Sequence, residues 1–202
     1  MGIYTGRGWG ERQGVVRPTR LIRFGTYTIR NGRNGGLESY LRAMSQSNTD
    51  LGIFQETELT KRIYTSESSG YNVVATEALS AQSGGVAVLY RAAEKFYVEA
   101  LHTYGANVVS FQMASGDRQW YIVGRYLEPD DASITEDVVL AIGKQPLGAA
   151  LLVVGYFNTN LSKIEGRDQY EGIAAALTKE GLEDMSSHLL PRNSMWLKDG
   201  RT

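Results

Sequence analysis

The sequence contains no cysteine, which excludes disulfide scaffolds, thiolate zinc sites, iron–sulfur clusters and cysteine nucleophiles. Long hydrophobic runs are also missing. The longest, Ala149 to Val154, is far short of the roughly 20 residues that a membrane helix needs. The start, Met1 to Gly14, is Gly-rich and polar, unlike the charged-then-apolar pattern of a secretory signal. These absences lead to the expectation of a soluble chain with no membrane partner, located inside the cell in the nucleus or cytoplasm. What is present is ordinary for a globular protein: 42% hydrophobic and 21% charged residues over 202 positions. A chain of that length buries roughly 70% of its extended surface without staples, and the composition argues against wholesale disorder.

The net charge of −1 conceals an asymmetry. Residues 1–33 hold seven arginines and one acid, Glu11, so this segment is about +6. Subtracting them from the totals of 21 basic and 22 acidic residues leaves 14 and 21, about −7 for the rest. Blocks of like charge often mark arms for an anionic partner such as nucleic acid. The aromatics of the segment, Tyr4, Trp9, Phe24 and Tyr27, form no regular pattern of the kind that stacks on successive bases, so an arm for nucleic acid and a merely solvated leader both stay open.

Residues 1–19 read as a loose leader and 20–202 as the domain. Arg20–Ile29 is rich in aromatic and β-branched residues and predicts a strand. A turn follows at Asn31–Gly36. Leu37, Tyr40, Leu41 and Met44 then recur at i, i+3, i+4 and i+7, an amphipathic helix, and Asp50–Gln55 predicts a short buried strand. Strand–helix–strand order is the pattern of parallel pairing. Five strand candidates without intervening helices follow, at Tyr71–Thr76, Gly85–Tyr90, Phe96–Leu101, Asn107–Met113 and Gln119–Leu127. They predict an antiparallel meander. Ser133 and Glu136 are spaced as a capping box opening a helix, and Ala149–Tyr156 is an apolar strand. A last helix carries Tyr170, Ile173, Ala174 and Leu177, with Gly181 as its stop. Leu182–Thr202 shows no strong periodicity. Two mixed sheets packed face to face, flanked by helices, accommodate this order.

Ligands in α/β sheets gather beyond the carboxyl ends of strands. The polar residues leaving the strongest strands are Thr28, Arg30 and Asn31, then Gln55, Glu56 and Thr57, then Arg125, Tyr126 and Glu128, then Tyr156, Asn158 and Asn160. One carboxylate with several amides and hydroxyls is a set of hard oxygen donors, suited to Mg²⁺ or Mn²⁺ rather than zinc.

The strings Phe24–Gly32 (FGTYTIRNG), Leu51–Thr57 (LGIFQET) and Gly84–Tyr90 (GGVAVLY) together resemble the endonuclease/exonuclease/phosphatase superfamily. This is the fold of pancreatic DNase and the apurinic/apyrimidinic endonucleases. Within it the sequence is most similar to the endonuclease domain of LINE-type (non-LTR) retrotransposons, particularly fungal ones. The resemblance extends from about Leu21 to Trp196 and includes Trp120–Gly124 and Gly181–Met185. It implies a four-layer α/β sandwich of two mixed β-sheets flanked by helices, and a phosphodiesterase in which Mg²⁺ stabilises phosphate charge while water attacks phosphorus. It also implies DNA as the partner. Glu56 matches the metal-binding Glu of the family's QE motif, Tyr126 the Tyr that contacts the scissile phosphate, and Asn158 the Asn of the G-D-F-N motif.

Three departures imply that this copy is catalytically defective. Thr28 stands where the family has an Asn that organises the metal and catalytic carboxylates. Tyr156 stands where the family has the Asp that orients or deprotonates water. A phenol with a pKa near ~10 cannot take that role unaided. Third, the family's later metal-site Asp and final phosphate-binding His follow the last match at Met195–Trp196, and only 44 residues remain after Asn158. The expectation is therefore a domain lacking its C-terminal strands, with an exposed sheet edge open to self-association. His102, mid-meander, and His188, after the last helix, read as structural residues and not as replacements for the missing His.

Overall fold

The computed structural model describes residues 22–28, 36–61, 63–68, 70–80, 83–91, 96–126, 133–156, 175–184 and 194–198. The leader at 1–19 lies outside them. Thirteen elements follow in chain order: β1 (Phe24–Thr28), α1 (Gly36–Gln46), β2 (Leu51–Gln55), β3 (Ile63–Ser68), β4 (Tyr71–Ala75), β5 (Val86–Arg91), β6 (Tyr97–Tyr104), β7 (Val108–Ser115), β8 (Arg118–Tyr126), α2 (Ser133–Ile142), β9 (Ala150–Tyr156), β10 (Glu183–Asp184) and β11 (Ser194–Lys198). Residues 175–179 are also helical. No helix among the described residues is long and apolar enough to cross a membrane.

The strands form a five-stranded sheet ordered β1-β2-β5-β4-β3 and a six-stranded sheet ordered β10-β11-β9-β8-β7-β6. Each sheet has one parallel pair, β1–β2 and β8–β9, and both pairs are joined through a helix. All other pairs are antiparallel. The meander expected between the two crossovers is present but divided, with β3 to β5 in the first sheet and β6 to β8 in the second.

Apolar side chains on alternating positions bury three cores. Between the sheets, Leu51, Ile53, Val86 and Val88 meet Val109, Phe111, Ile122, Tyr126 and Val154. On the far face of the first sheet, Tyr40, Leu41 and Met44 of α1 pack on Phe54, Val73, Ala87 and Leu89. On the far face of the second, Val138, Ala141 and Ile142 of α2 pack on Val108, Tyr121, Val123, Leu151 and Val153. The layers are therefore helix, sheet, sheet, helix: the four-layer α/β sandwich implied by the sequence. Every residue of β2 is buried because this strand is covered on both faces. Its Phe54 ring stacks between Tyr27 and Tyr40, at centroid distances of 4.8 and 4.6 Å. At its start, buried Asp50 accepts the Arg23 N–H at 3.0 Å and faces Arg91 at 3.8 Å, tying β2 to both neighbouring strands.

Several expectations need correction. The first strand begins at Phe24 and not at Arg20, since Ile22 and Arg23 are not in the ladder. β6 continues to Tyr104, beyond the expected end at Leu101. A register shift between Glu99 and His102, with Ala100 at φ 49°, breaks the period-two pattern from which that end was read. β3 was not expected, since it is an edge strand of mixed polarity. The stretch after Leu182 contains β10 and β11, with β11 running antiparallel to β9. The final helix ends as expected: Gly181 has φ 71°, and the Gly181 and Leu182 N–H groups donate to Thr178 and Leu177 carbonyls. Tyr170, Ile173, Ala174 and the Ser133 side chain of the capping box lie outside the described residues.

The sheets approach closely at Gly124, where an added Cβ would stand 3.0 Å from two Ile53 carbons and 3.1 Å from Val109. Ile53 is fully buried and has nowhere to move. Gly124→Val is expected to lower stability by about 1–3 kcal/mol through overpacking, read as a lower denaturant midpoint at unchanged slope.

Candidate active site

Parallel pairing sends β1 and β2 out of the first sheet side by side, with Thr28 level with Gln55. Glu56 follows at once. In the second sheet, β8 and β9 leave side by side with Tyr126 level with Tyr156. The two sheets then bring these ends together. The Tyr126 hydroxyl donates to Glu56 Oε1 at 2.5 Å across 70 residues of sequence. Tyr126 is buried and Glu56 half-buried. Thr28 ends its strand exposed. Of the sequence-derived candidates, Glu56 and Tyr126 are in contact, and Thr28 and Tyr156 stand in register beside their two strand ends. Asn158 and His188 lie outside the described residues. His102 is exposed in β6, paired with Ser110 on the α2 side of the second sheet, away from Glu56.

The backbone around Glu56 is bent sharply. Glu56 and Glu58 both have positive φ, 54° and 52°, a conformation that is uncommon outside glycine and concentrates at functional sites. Buried Thr57 sits between them. The loop is held by the Gly84-Gly85 turn: Thr57 and Glu58 N–H groups donate to the Gly85 and Gly84 carbonyls at 3.3 and 3.0 Å. Gly85 has φ 90°, and a Cβ there would crowd Thr57 Oγ1, while Gly84 also has a positive φ of 85°, so the double glycine of the GGVAVLY string suits the backbone of this turn. Gly155 is constrained similarly. Its φ is 155°, and a Cβ would stand 1.9 Å from the Arg125 carbonyl oxygen. That close approach fixes Tyr156 beside Tyr126.

Sequence reasoning missed the polar bridge that holds the two halves of the site together. Asn107, in the turn between β6 and β7, is 3% exposed. Its Oδ1 accepts the Gly85 N–H at 2.8 Å, and its carbonyl accepts the Tyr126 N–H at 2.9 Å. Next to it the Ala106 carbonyl accepts the Thr76 hydroxyl, while Thr76 Oγ1 accepts the Val86 N–H at 2.8 Å. In the sequence Asn107 reads only as the first residue of a strand candidate, so nothing local distinguishes it.

The donors at Glu56 are oxygens. Gln55 is fully buried and donates through Nε2 to Thr26 Oγ1 at 2.7 Å. Gln55 Oε1 and Thr57 Oγ1 are buried with no hydrogen-bond partner among the described residues. A carboxylate oxygen is the donor type that suits a hard cation such as Mg²⁺, which uses one or two carboxylates and keeps several waters; Gln55 and Thr57 adjoin Glu56 in sequence. No group of three or more His, Asp or Glu side chains that could hold a metal occurs among the described residues. Tyr40, whose hydroxyl donates to the Thr57 carbonyl at 3.4 Å, has its phenol pKa pushed up by burial and, secondarily, by the Glu58 charge.

The sequence matches no protein-family model and no curated protein. Solved structures do match. The endonuclease domain of TRAS1, a telomere-specific non-LTR retrotransposon, superposes with a TM-score of 0.62 at 13% identity, covering 87% of this chain and 83% of that one. The AP endonuclease LMAP from Leishmania major gives 0.64 at 12% identity, covering 90% and 80%. D. rerio TDP2 complexed with single strand DNA product gives 0.57 at 11% identity, covering 87% and 83%. The shared property at these identities is the fold: this chain has the DNase-like α/β fold of the endonuclease/exonuclease/phosphatase proteins.

Two outcomes follow for the site's supports. Asn107→Ala leaves the buried Gly85 N–H without its acceptor and is expected to cost about 1–3 kcal/mol in denaturant unfolding. Tyr40 is protonated in the fold at pH values where the unfolded phenol, near ~10, ionises. Its contribution is therefore full below pH ~10 and declines above it, so Tyr40→Phe is expected to flatten the alkaline limb of the stability–pH curve.

Proposed function

We propose that this chain is a retrotransposon-derived phosphodiesterase domain whose ancestral reaction is Mg²⁺-dependent hydrolysis of DNA, and that catalysis in this copy is impaired. The observation that carries the reading is the Tyr126–Glu56 contact at the joined strand ends of a DNase-like fold. Glu56 would hold the cation, which when bound would supply positive charge to the phosphate oxygens. Tyr126 orients the Glu56 carboxylate through its hydroxyl, and that same hydroxyl is the donor available to a phosphate oxygen once the carboxylate is engaged elsewhere. Asn158 would serve the phosphate as the family's motif implies.

Impairment is inferred from Thr28 and Tyr156. The Thr hydroxyl reaches less far than an amide. A Tyr phenol, protonated at neutral pH, does not accept the proton of an attacking water. Loss of one acid–base group costs ~10²–10⁴ in rate, and such losses do not add. A second reading, a non-catalytic nucleic-acid-binding or co-opted protein-interaction module, is favoured by the seven arginines of residues 1–33. Binding of that kind would survive EDTA and weaken steeply with salt.

The test is nicking of supercoiled plasmid in Mg²⁺ against an EDTA control, with the natural chain beside a Thr28→Asn, Tyr156→Asp double variant. The natural chain is expected to leave the plasmid intact, and metal-dependent nicking by it would overturn the impairment. Cutting by the double variant alone would locate the lesion at those two positions.

A further inference from the structure

The face of the second sheet turned away from the Glu56 site holds a cavity of about 680 Å³, walled by Ala100, His102, Tyr104, Gln112, Tyr121 and Lys144 among others. The pairing places His102 opposite Ser110 and Tyr104 opposite Val108. Val108 and Tyr121 belong to the core under α2, whereas Tyr126 belongs to the core between the sheets. The cavity and the Tyr126–Glu56 pair therefore lie on opposite faces of the second sheet, and the proposed phosphodiesterase chemistry makes no use of the cavity.

Three independent features converge there. The cavity wall includes Ala100, a non-glycine residue at φ 49° in the bulge that shifts the β6–β7 register. Bulges re-aim side chains, and a left-handed alanine costs free energy that a plain ladder would not incur. Next, a chain of hydroxyls runs outward from the interior. Buried Tyr121 donates to buried Ser110 at 2.8 Å, and Ser110 donates to Tyr104 at 3.4 Å. Because each hydroxyl has one proton, donation in this direction means that Tyr104 accepts from Ser110 and does not spend its own proton on it. Burial, with a further contribution from Tyr104, raises the Tyr121 phenol pKa against the lowering effect of its Ser110 bond, which keeps Tyr121 a donor. Finally, among the described residues the lining includes His102 and Lys144 and no carboxylate. Glu99 stands across from Gln112 on the same face but does not line the cavity.

We infer that this cavity is a binding site for a small organic phosphate. The ammonium of Lys144, the imidazole of His102, the Tyr104 hydroxyl and the Gln112 amide supply donors from two strands and the turn after α2. A phosphate presents three terminal oxygens to donors arriving from several directions, whereas a carboxylate presents two in one plane. The space is open to solvent on one side and exceeds that of a bare phosphate, leaving room for an organic part beside the tyrosine rings.

Isothermal titration in EDTA separates this site from any metal at Glu56. Adenosine monophosphate, inorganic phosphate and citrate are the probes, the second separating an organic phosphate from the free anion. Adenosine monophosphate is expected to bind saturably, more tightly than inorganic phosphate and much more tightly than citrate. Tyr104→Phe, which keeps the ring, and Lys144→Gln, at the surface, are each expected to weaken it about tenfold, the loss of one charge-assisted hydrogen bond. Glu56→Gln should leave it unchanged, so this result stands or falls apart from the nicking assay. The inference is overturned if adenosine monophosphate does not bind saturably, if citrate or inorganic phosphate binds as well, or if both cavity variants bind like the natural chain with unchanged melting curves.

Discussion

The close packing of the two sheets is the constraint on which the rest of the molecule depends. Ile53 on β2 and Gly124 on β8 approach so closely that a side chain at 124 would crowd Ile53, and apolar residues of both sheets fill the space around them. Glu56 lies three positions beyond Ile53, and Tyr126 two beyond Gly124. The contact between the sheets therefore sets the distance between carboxylate and phenol. Hydrophobic burial fixes that spacing without direction, and the Asn107 and Thr76 hydrogen bonds at the site end supply the direction.

The parallel pairs explain why the candidate residues meet at all. In an antiparallel pair, neighbouring strands end at opposite edges of a sheet. In a parallel pair they end together, so β1 and β2 deliver Thr28 and Glu56 to one edge, and β8 and β9 deliver Tyr126 and Tyr156 to another. The two helical crossovers provide this arrangement twice, once in each sheet. The positive φ values at Glu56 and Glu58 then turn the chain abruptly out of β2, and the Gly84-Gly85 turn receives it.

Much of this was legible in the residues. The spacing of Tyr40, Leu41 and Met44 identified the buried face of α1, and all three are buried. The largely apolar strings of β2 and β9 announced strands packed on both faces, as the cores on either side of them show. Where the pattern misled, a specific irregularity was responsible: the bulge at Ala100 concealed the last part of β6, and edge position gave β3 a polar composition. Glu56 and Tyr126 were singled out by the family resemblance of their motifs, since polar residues at strand ends are common and carry no distinguishing signature of their own; the structure places the two in contact.

By itself, the sequence determined most of the strands and helices, though not β3, β10 or β11, together with the apolar face of α1 and the polar groups at the strand ends, since these follow from periodicity and turn chemistry within a few residues. Only the tertiary structure decided that the meander divides between two sheets, that Tyr126 touches Glu56, that Asn107 bridges Gly85 and the Tyr126 backbone, and that His102 joins Tyr104 and Lys144 around a separate cavity. Those facts depend on pairings between residues tens of positions apart. Such pairings are selected by the burial of whole faces against each other, a collective property that no local run of residues contains.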